Sequence, residues 1–498
     1  MVYTAEALEC PKGTTLPDLL LELNVNNVAD DRPAIIDGIS GETVYTYSSL
    51  RAAVRRVANY LRTEVKLTNG TVVGILANNS SDFPILVHGI LAAGGVISAF
   101  NPLYQGQEIA HYLRIAKSGI VLADAALTEI LTDGLALAKL DYTPDLYALL
   151  SDTSQSQSSW KSFDLDHIKS TASDNLDSPK PHPGIGMSDL AFICFSSGTT
   201  GPMKGVYLTH GNIVTNIFQH RQRLPEMFKS HETVAALITP FFHILGLGVF
   251  VFTHINIVPP IALRLLQATA TSTTDFSSLK CLINAAAPLK EVVSRELSQR
   301  MGCSITQWYG MTEASPSVIS QREDEVGVTG TVGKLLPGMS MKVVDSEGKE
   351  REPKQSGELL IQGPNLTPGY VGTSTAEPSA AFIDGYFKTG DIGYIDEKGY
   401  VFLVGRSKEL IKVKGHQVAP AELESILLTH PSVRDAAVKG VYFSEHETEY
   451  PVAYITIDTV APDPGQLKVD VREFVNKQVA KYKWLRGGVH VIPAIPRK

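Results

Sequence analysis

The sequence predicts a layered α/β protein: a large first part of parallel strands and covering helices that closes in a small β-rich subdomain, then a small α+β unit. Three observations carry this reading. The first half alternates helix-period and strand-like apolar segments. Residues 330–405 change texture to short strands and turns. Beyond it a second helix-and-strand pattern follows, with a helix-start signal at Pro420.

Taken in order, Leu50–Leu61 places Leu50, Val54, Val57, Ala58 and Leu61 on one helical face. Thr71–Leu76 is an apolar run with β-branched residues and reads as a buried strand. Phe83–Ala93 reads as a helix and Gly95–Phe100 as the next strand, which argues for parallel pairing through crossovers. Residues 151–187, rich in Ser, Asp, Pro and Lys, read as a polar connector without folded elements. Leu190–Phe195 is a further buried strand and Asn212–Phe218 a helix. Tyr386–Val404 reads as a hairpin turning at Asp396-Glu-Lys-Gly399. Pro420 before Ala-Glu-Leu-Glu starts a helix running to Thr429, and Asp435–Val441 follows as a strand. The β-rich texture ends at 405.

Composition narrows the function. A chain of 498 residues accommodates two or more domains with sizeable cores. Acidic residues outnumber basic ones, 52 to 44, so the surface offers no general attraction for nucleic acid or anionic lipid. The thirteen histidines show no metal-ligand spacing. Cys10, Cys194, Cys281 and Cys303 lie far apart and form neither a disulfide framework nor a Cys-x-x-Cys pair. Cys194 and Cys281 sit in apolar runs and read as buried, inert thiols. The N-terminus lacks a secretory pattern and no apolar run is long enough to span a membrane. The end carries no Ser-Lys-Leu peroxisomal address. The expected compartment is the cytoplasm, or the peroxisome if such a signal has been lost.

The most informative stretch is Ser196-Ser197-Gly198-Thr199-Thr200-Gly201-Pro202-Met203-Lys204-Gly205, placed between a strand and a helix. Small residues let backbone N–H groups approach a phosphate, hydroxyls add donors and the lysine adds charge. No Gly-Lys-Ser/Thr triplet closes it, so it is not a Walker loop. The competing reading is a flexible surface loop. Further on lie Tyr309-Gly-Met-Thr-Glu313, Thr389-Gly-Asp391 and Gly405-Arg406. Between and around them are Asn101-Pro-Leu-Tyr104, Pro240-Phe-Phe-His243, Ala286-Ala-Pro-Leu289, Gly357-Glu-Leu-Leu360, Lys408-Glu-Leu-Ile-Lys412 and Lys414-Gly-His-Gln-Val-Ala-Pro-Ala-Glu-Leu-Glu424.

In this order the set resembles the adenylate-forming superfamily from about residue 30 to the last residue. The group it looks most like holds fungal and plant acyl-CoA ligases, 4-coumarate–CoA ligase among them. The resemblance implies a carboxylic acid, aryl or medium-chain, activated with ATP and Mg²⁺ as acyl-AMP and passed to CoA, with a place in secondary metabolism. It implies that Ser196–Gly205 holds the β- and γ-phosphates, with Lys204 as a point charge. Tyr309 would stack on adenine, Gly310 would belong to the nucleotide site, Thr312 would donate to a phosphate oxygen and Glu313 would hold Mg²⁺. Asp391 and Arg406 would reach the ribose. Lys408, Lys412 and Gln417 would serve from a C-terminal lid hinged near Arg406, with Lys414, Gly415 and His416 on its CoA side. The resemblance thereby implies the division 1–405 and 406–498. His243, Leu245, Ala286, Trp308 and Gly310 would line the acid pocket. Each has a plainer reading: a helix cap for Thr312-Glu313, a turn residue for Asp391, a solvated face for the lysines, a structural histidine, a packed core tryptophan.

Two departures from the family pattern bear on activity. Phe242-His-Ile-Leu-Gly246 runs almost directly into Thr253-His-Ile-Asn, where relatives place a further strand and helix of roughly 25 to 30 residues. The sequence also stops at Ile495-Pro-Arg-Lys498, where relatives continue into Ser/Thr-Gly-Lys. That lysine bridges carboxylate and α-phosphate in the family, so adenylation is expected to be slowed more than thioester formation. A catalytically impaired, nucleotide-binding remnant is therefore the alternative. A carrier-protein acceptor and a luciferase-type oxidation share the nucleotide motifs.

Overall fold

The computed structural model describes residues 2–24, 27–150, 160–170, 184–196, 203–229, 239–244, 246, 255–268, 276, 279–287, 289, 291–372, 381–414, 416–457 and 464–496. The first half forms an eight-stranded sheet. Its order is Gly369–Tyr370, Lys204–Thr209, Leu190–Ser196, Val96–Ala99, Val72–Leu76, Ile120–Asp124, Asp145–Leu150, Lys161–Asp164. From Leu190–Ser196 onward the strands pair in parallel, as the helix–strand alternation predicts. The helix Tyr47–Thr63 is capped by Thr46, whose side chain accepts from the Ser49 N–H, and it buries the predicted face. It packs on Phe83–Ala92, a helix buried on every side and therefore apolar all round. A Cβ on Gly89 would lie 2.5 Å from Val57 Cγ1, so the two helices meet at a backbone-close contact.

Two expectations need correction. The stretch 151–187 is not an unstructured connector throughout: Lys161–Asp164 extends the sheet and Leu165–Ser170 forms a helix. Phe163, Leu165 and Ile168 supply the buried side chains that drive this, outweighing the polar average around them. Residues 151–159 and 171–183 lie outside the described residues. The phosphate-loop segment also does not run from strand into helix. Lys204–Thr209 returns as a strand antiparallel to Leu190–Ser196, and the helix His210–Arg223 begins only after it. Val206 and Leu208 are buried at strand period, and Thr209 caps the helix by accepting from Asn212 N–H. Lys204 and Gly205 thus belong to a strand, and the helix that follows it begins only at His210.

A second sheet is ordered Ile255–Ile257, Cys281–Asn284, Ser304–Gly310, Ser317–Ser320, Lys334–Leu335. Leu282 and Ile305 face Leu297 and Met301 of the Glu291–Met301 helix, while Cys281, Ile283 and Ala285 turn the other way, toward Trp308. The third sheet holds Val2–Thr4, Ser340–Val344, Gly357–Gln362, Tyr386–Ile395 and Phe382–Ile383, with Val401–Arg406 on Tyr386–Ile395. The predicted hairpin is present, with Gly399 at φ 80° in its turn.

The last part has its own core, drawn from Ile411 to Val489. The helices Pro420–Leu427 and Pro464–Asn476 cover a sheet of Asp435–Phe443, Thr448–Thr456 and Val489–Val491, preceded by the hairpin Ile411–Val413/His416–Val418. The predicted break between Phe242 and Thr253 falls at residues 245 and 247–254, outside the described residues. Among the described residues no helix is long and apolar enough to cross a membrane.

Candidate active site

The site collects at the point where the three sheets of the first part meet. The strand Ser304–Gly310 ends in a one-turn helix, Thr312–Ala314, that buries Thr312 and Glu313. Glu313 Oε1 accepts from Ser196 Oγ at 2.8 Å and from the Tyr370 hydroxyl at 3.0 Å. Its backbone carbonyl accepts from Thr367 N–H at 2.7 Å. Lys204 stands opposite Ser196 in the hairpin register, and its Nζ lies 5.3 Å from the centre of the Tyr370 ring. Burial, reinforced by the Glu313 charge, raises the Tyr370 hydroxyl above its ordinary pKa, so it is a neutral donor.

A second group adjoins it. The Tyr309 hydroxyl donates to Asp391 Oδ2 at 2.6 Å, and Arg406 Nε lies 3.4 Å from Asp391 Oδ1. Asp391 faces Arg406 across two paired strands, and its own N–H donates to Thr389 Oγ1. Asp391 is therefore a strand residue held from three directions, not a turn residue. Burial raises its carboxyl above the usual range, although the Tyr309 hydrogen bond and the Arg406 charge pull the other way. Burial first, then the Asp391 charge, hold the Tyr309 hydroxyl well above its ordinary pKa.

A buried amide ladder fixes the loop behind Glu313. Asn216 Nδ2 donates to Ser317 O and Gln219 Oε1, both at 2.9 Å. Gln219 Nε2 donates to Pro337 O at 2.9 Å and to Asn365 Oδ1 at 3.3 Å. Asn365 Nδ2 donates to Ala314 O and Ser317 O. Asn212, one turn earlier on the same helix, donates to Pro364 O and Leu366 O. The backbone of two crossing loops is thereby satisfied by side chains in a site that excludes water.

The structure thus brings together Ser196, Lys204, Tyr309, Thr312, Glu313, Asp391 and Arg406. Gly205 packs tightly, since a Cβ there would meet Val371 at 2.7 Å. Trp308 is buried and stacks on the buried His220, ring centres 4.2 Å apart. His243 lies in a bend, and desolvation by the protein packed around its ring lowers the imidazole below the usual histidine range. Ala286 is exposed at φ 69°. Lys408, Lys412 and Lys414 are exposed on the separate C-terminal segment, where Lys412 N–H donates to Glu449. Residues Ser197, Gly198, Thr199, Thr200, Gly201, Leu245 and Gly415 lie outside the described residues, as do the side chains of His416 and Gln417.

Sequence reasoning missed Tyr370, Asn365, Asn216 and Gln219. The spacing of Asn212, Asn216 and Gln219 places three amides on one helix face and was available as a signal. Tyr370 had none. The thiols behave as read: burial pushes both Cys194 and Cys281 up to about 12.

Among the described residues no cluster of three His, Cys, Asp or Glu side chains is arranged around a metal. One buried carboxylate beside hydroxyl groups suits Mg²⁺, which binds through one or two carboxylates and completes its shell with water and phosphate oxygens. The Glu313 corner fits that requirement.

Comparison with known proteins gives a consistent picture. The AMP-binding enzyme family matches residues 21–254 and 250–371, two stretches that meet where the sequence predicts missing elements. The AMP-binding enzyme C-terminal domain matches 422–498. A phenylacetyl-CoA ligase from Aspergillus niger is 34% identical over 94% of this chain and 91% of its own length. A probable 4-coumarate–CoA ligase from Dictyostelium discoideum is 32% identical over 94% of this chain and 90% of its own. The crystal structure of ATP-bound MatB from Rhodopseudomonas palustris superposes with a TM-score of 0.83 at 27% identity, covering 97% of this chain and 96% of that one.

Proposed function

The chain belongs to the AMP-binding enzyme family, and from that premise we propose that it is an ATP-dependent acid–thiol ligase of the acyl-CoA synthetase type. The observation that carries this is the convergence of Ser196, Lys204, Glu313, Tyr309, Asp391 and Arg406 from separate motifs onto one corner. A carboxylate oxygen of the acid attacks the α-phosphorus of ATP, and pyrophosphate leaves with the bonding pair. The sulfur of CoA then attacks the acyl carbonyl carbon and AMP leaves. Two anions must be brought together in the first step, so the site needs cations and directed donors.

Lys204 supplies a fixed positive charge for the β- and γ-phosphates, with the Ser196–Gly205 segment around it. The lysine stands on a strand, and it shares this task with backbone N–H groups of the segment. Thr312 donates to a phosphate oxygen. Mg²⁺ on Glu313 would neutralise phosphate charge. Tyr309 lies against adenine, and Asp391 with Arg406 holds the ribose. His243, Leu245, Ala286, Trp308 and Gly310 line the acid pocket, which takes an aryl or medium-chain acid. Residues 406–498 act as the lid, with Lys408, Lys412 and Gln417 turned to the nucleotide and Lys414, Gly415 and His416 to CoA. The separate core of Ile411–Val489 supports a boundary at Arg406. The enzyme works in the cytoplasm, with the peroxisome as the alternative that fluorescent tagging would reveal.

The comparisons lend no support to an impaired remnant. The test is ATP–pyrophosphate exchange with pooled aryl and medium-chain acids, followed by mass spectrometry after CoA is added. Acid-dependent exchange with acyl-CoA formed is the expected result. Exchange without acyl-CoA would replace CoA with another acceptor, and no exchange with any acid would overturn the reading.

A further inference from the structure

Tyr370 joins the two halves of the phosphate-facing corner through two different parts of one side chain. Its hydroxyl donates to Glu313 Oε1 at 3.0 Å, while its ring face carries Lys204 Nζ at 5.3 Å from the centroid. The strand Gly369–Tyr370 makes this possible. It pairs antiparallel with Lys204–Thr209 so that Tyr370 lies opposite Val206, two residues from Lys204 and on the same face of the sheet. Thr367 then ties the segment to the Glu313 backbone, and its Oγ1 donates to Tyr207 O at 2.6 Å. Carboxylate and ammonium are thereby spaced by a rigid ring and not by a direct ion pair. A direct pair would neutralise both groups and leave neither free for an anionic ligand and its counter-ion.

We propose that Tyr370 is a positioning residue that sets Glu313 and Lys204 at a fixed separation, so that the carboxylate is aimed for a divalent cation and the ammonium for the phosphate chain. The assignment rests on the reading of Glu313 as the magnesium carboxylate. The two contacts are chemically distinct, so they come apart by mutation. Tyr370→Phe removes the hydroxyl and keeps the ring. Tyr370→Leu removes both.

The experiment measures Mn²⁺ binding by electron paramagnetic resonance in the complex with α,β-methylene-ATP, and separately the binding of ATP in EDTA by calorimetry. Tyr370→Phe weakens Mn²⁺ binding about tenfold, the lower end of what loss of an outer hydrogen bond to a metal ligand produces. It leaves metal-free ATP binding unchanged. Tyr370→Leu weakens Mn²⁺ binding to the same extent and metal-free ATP binding several-fold as well, through loss of the cation–π contact. Phenylalanine behaving as wild type in the Mn²⁺ measurement, or equal to leucine in both, would overturn the proposal. If the leucine variant does not fold, Lys204→Ala made in the Tyr370→Phe background replaces it, and must weaken metal-free ATP binding where Tyr370→Phe alone does not. Glu313→Gln is the control for the underlying reading. Unchanged Mn²⁺ affinity there removes Glu313 from the metal, whereas a weakened Glu313→Gln beside a normal Tyr370→Phe removes only Tyr370.

Discussion

The Tyr309 hydroxyl and Asp391 Oδ2 lie 2.6 Å apart, a contact that couples the end of one sheet to the strand of another. Tyr309 is buried and holds Oδ2, while Arg406 Nε stands 3.4 Å from Oδ1, so the carboxylate is fixed at both oxygens. Asp391→Asn keeps the shape and removes the charge. Hydrogen bonds to charged groups contribute about 1.5–3 kcal/mol, so the KM for ATP rises about ten- to a hundredfold while the KM for the acid stays constant. Exchange kinetics at varied ATP and acid measure both.

The same carboxylate gives a pH dependence. Burial raises its pKa in the folded protein, so the folded state holds the proton more tightly than the unfolded chain. Its contribution to stability therefore falls as pH rises from the ordinary aspartate value through the raised one. Nucleotide binding needs the ionised form and improves over the same window. ATP affinity measured by calorimetry is expected to drop on acidification, starting above the ordinary aspartate range. Asp391→Asn lacks that limb, and a limb of equal size in the variant would assign it to another group.

The parallel layers and the C-terminal unit were legible because their strands and helices carry uniform apolar faces, as Tyr47–Thr63 and Phe83–Ala92 do. The Lys204–Thr209 strand was not, because Val206 and Leu208 are its only apolar residues in full burial, and the glycines and threonines before them look like loop. Phe163 failed to register for a similar reason: one buried aromatic among polar neighbours leaves no period to read. Within the site, motif order gave the residues that would face nucleotide. The partners that contact them, Tyr370 and Asn365, are brought in by contacts between segments more than fifty residues apart, as where Asn365 Nδ2 donates to Ala314 O, 51 residues earlier in the chain. Local sequence carries no record of such pairing.

Asn365 tests the amide ladder. Its Nδ2 holds two carbonyls of the loop after Glu313, and its Oδ1 receives Gln219. Asn365→Ala leaves buried groups unsatisfied, at about 1–3 kcal/mol for each one that finds no new partner. The midpoint in urea falls, and the turnover number falls with it because Thr312 and Glu313 lose their backing. Chemical denaturation and saturating exchange rates, measured on the same samples, check the two effects.

Trp308 and His220 stack with an interplanar angle of 20°. Burial lowers the His220 imidazole to about 3, so the pair is a neutral aromatic stack at working pH. Trp308→Ala opens a cavity and destabilises the protein by about 3–5 kcal/mol. In the surviving folded fraction the panel of accepted acids shifts toward bulkier ones. Trp308→Phe retains most of the stability and most of the original preference. An unchanged acid panel in Trp308→Ala would take this side chain out of the pocket wall.

Gly310 is the narrowest point in the site. A Cβ added there would stand 1.9 Å from Pro316 O and 2.8 Å from Ser317 Cα, both backbone atoms that cannot rotate away. Gly310→Ala therefore separates the Ser304–Gly310 and Ser317–Ser320 strands at the register shift beside Tyr309. The turn Thr312–Ala314 between them moves as a unit, displacing Thr312 and carrying Glu313 off Ser196 and Tyr370. Displacement of this size by roughly an ångström is enough to reduce catalysis about a hundredfold. The expected outcome is a folded protein whose exchange activity is nearly lost while the C-terminal unit, with its own core, keeps its amide-exchange protection. Hydrogen exchange by mass spectrometry should therefore show new exposure confined to the peptides around 304–320 and 364–370, and uniform exposure across both parts would mean that the glycine serves global folding instead.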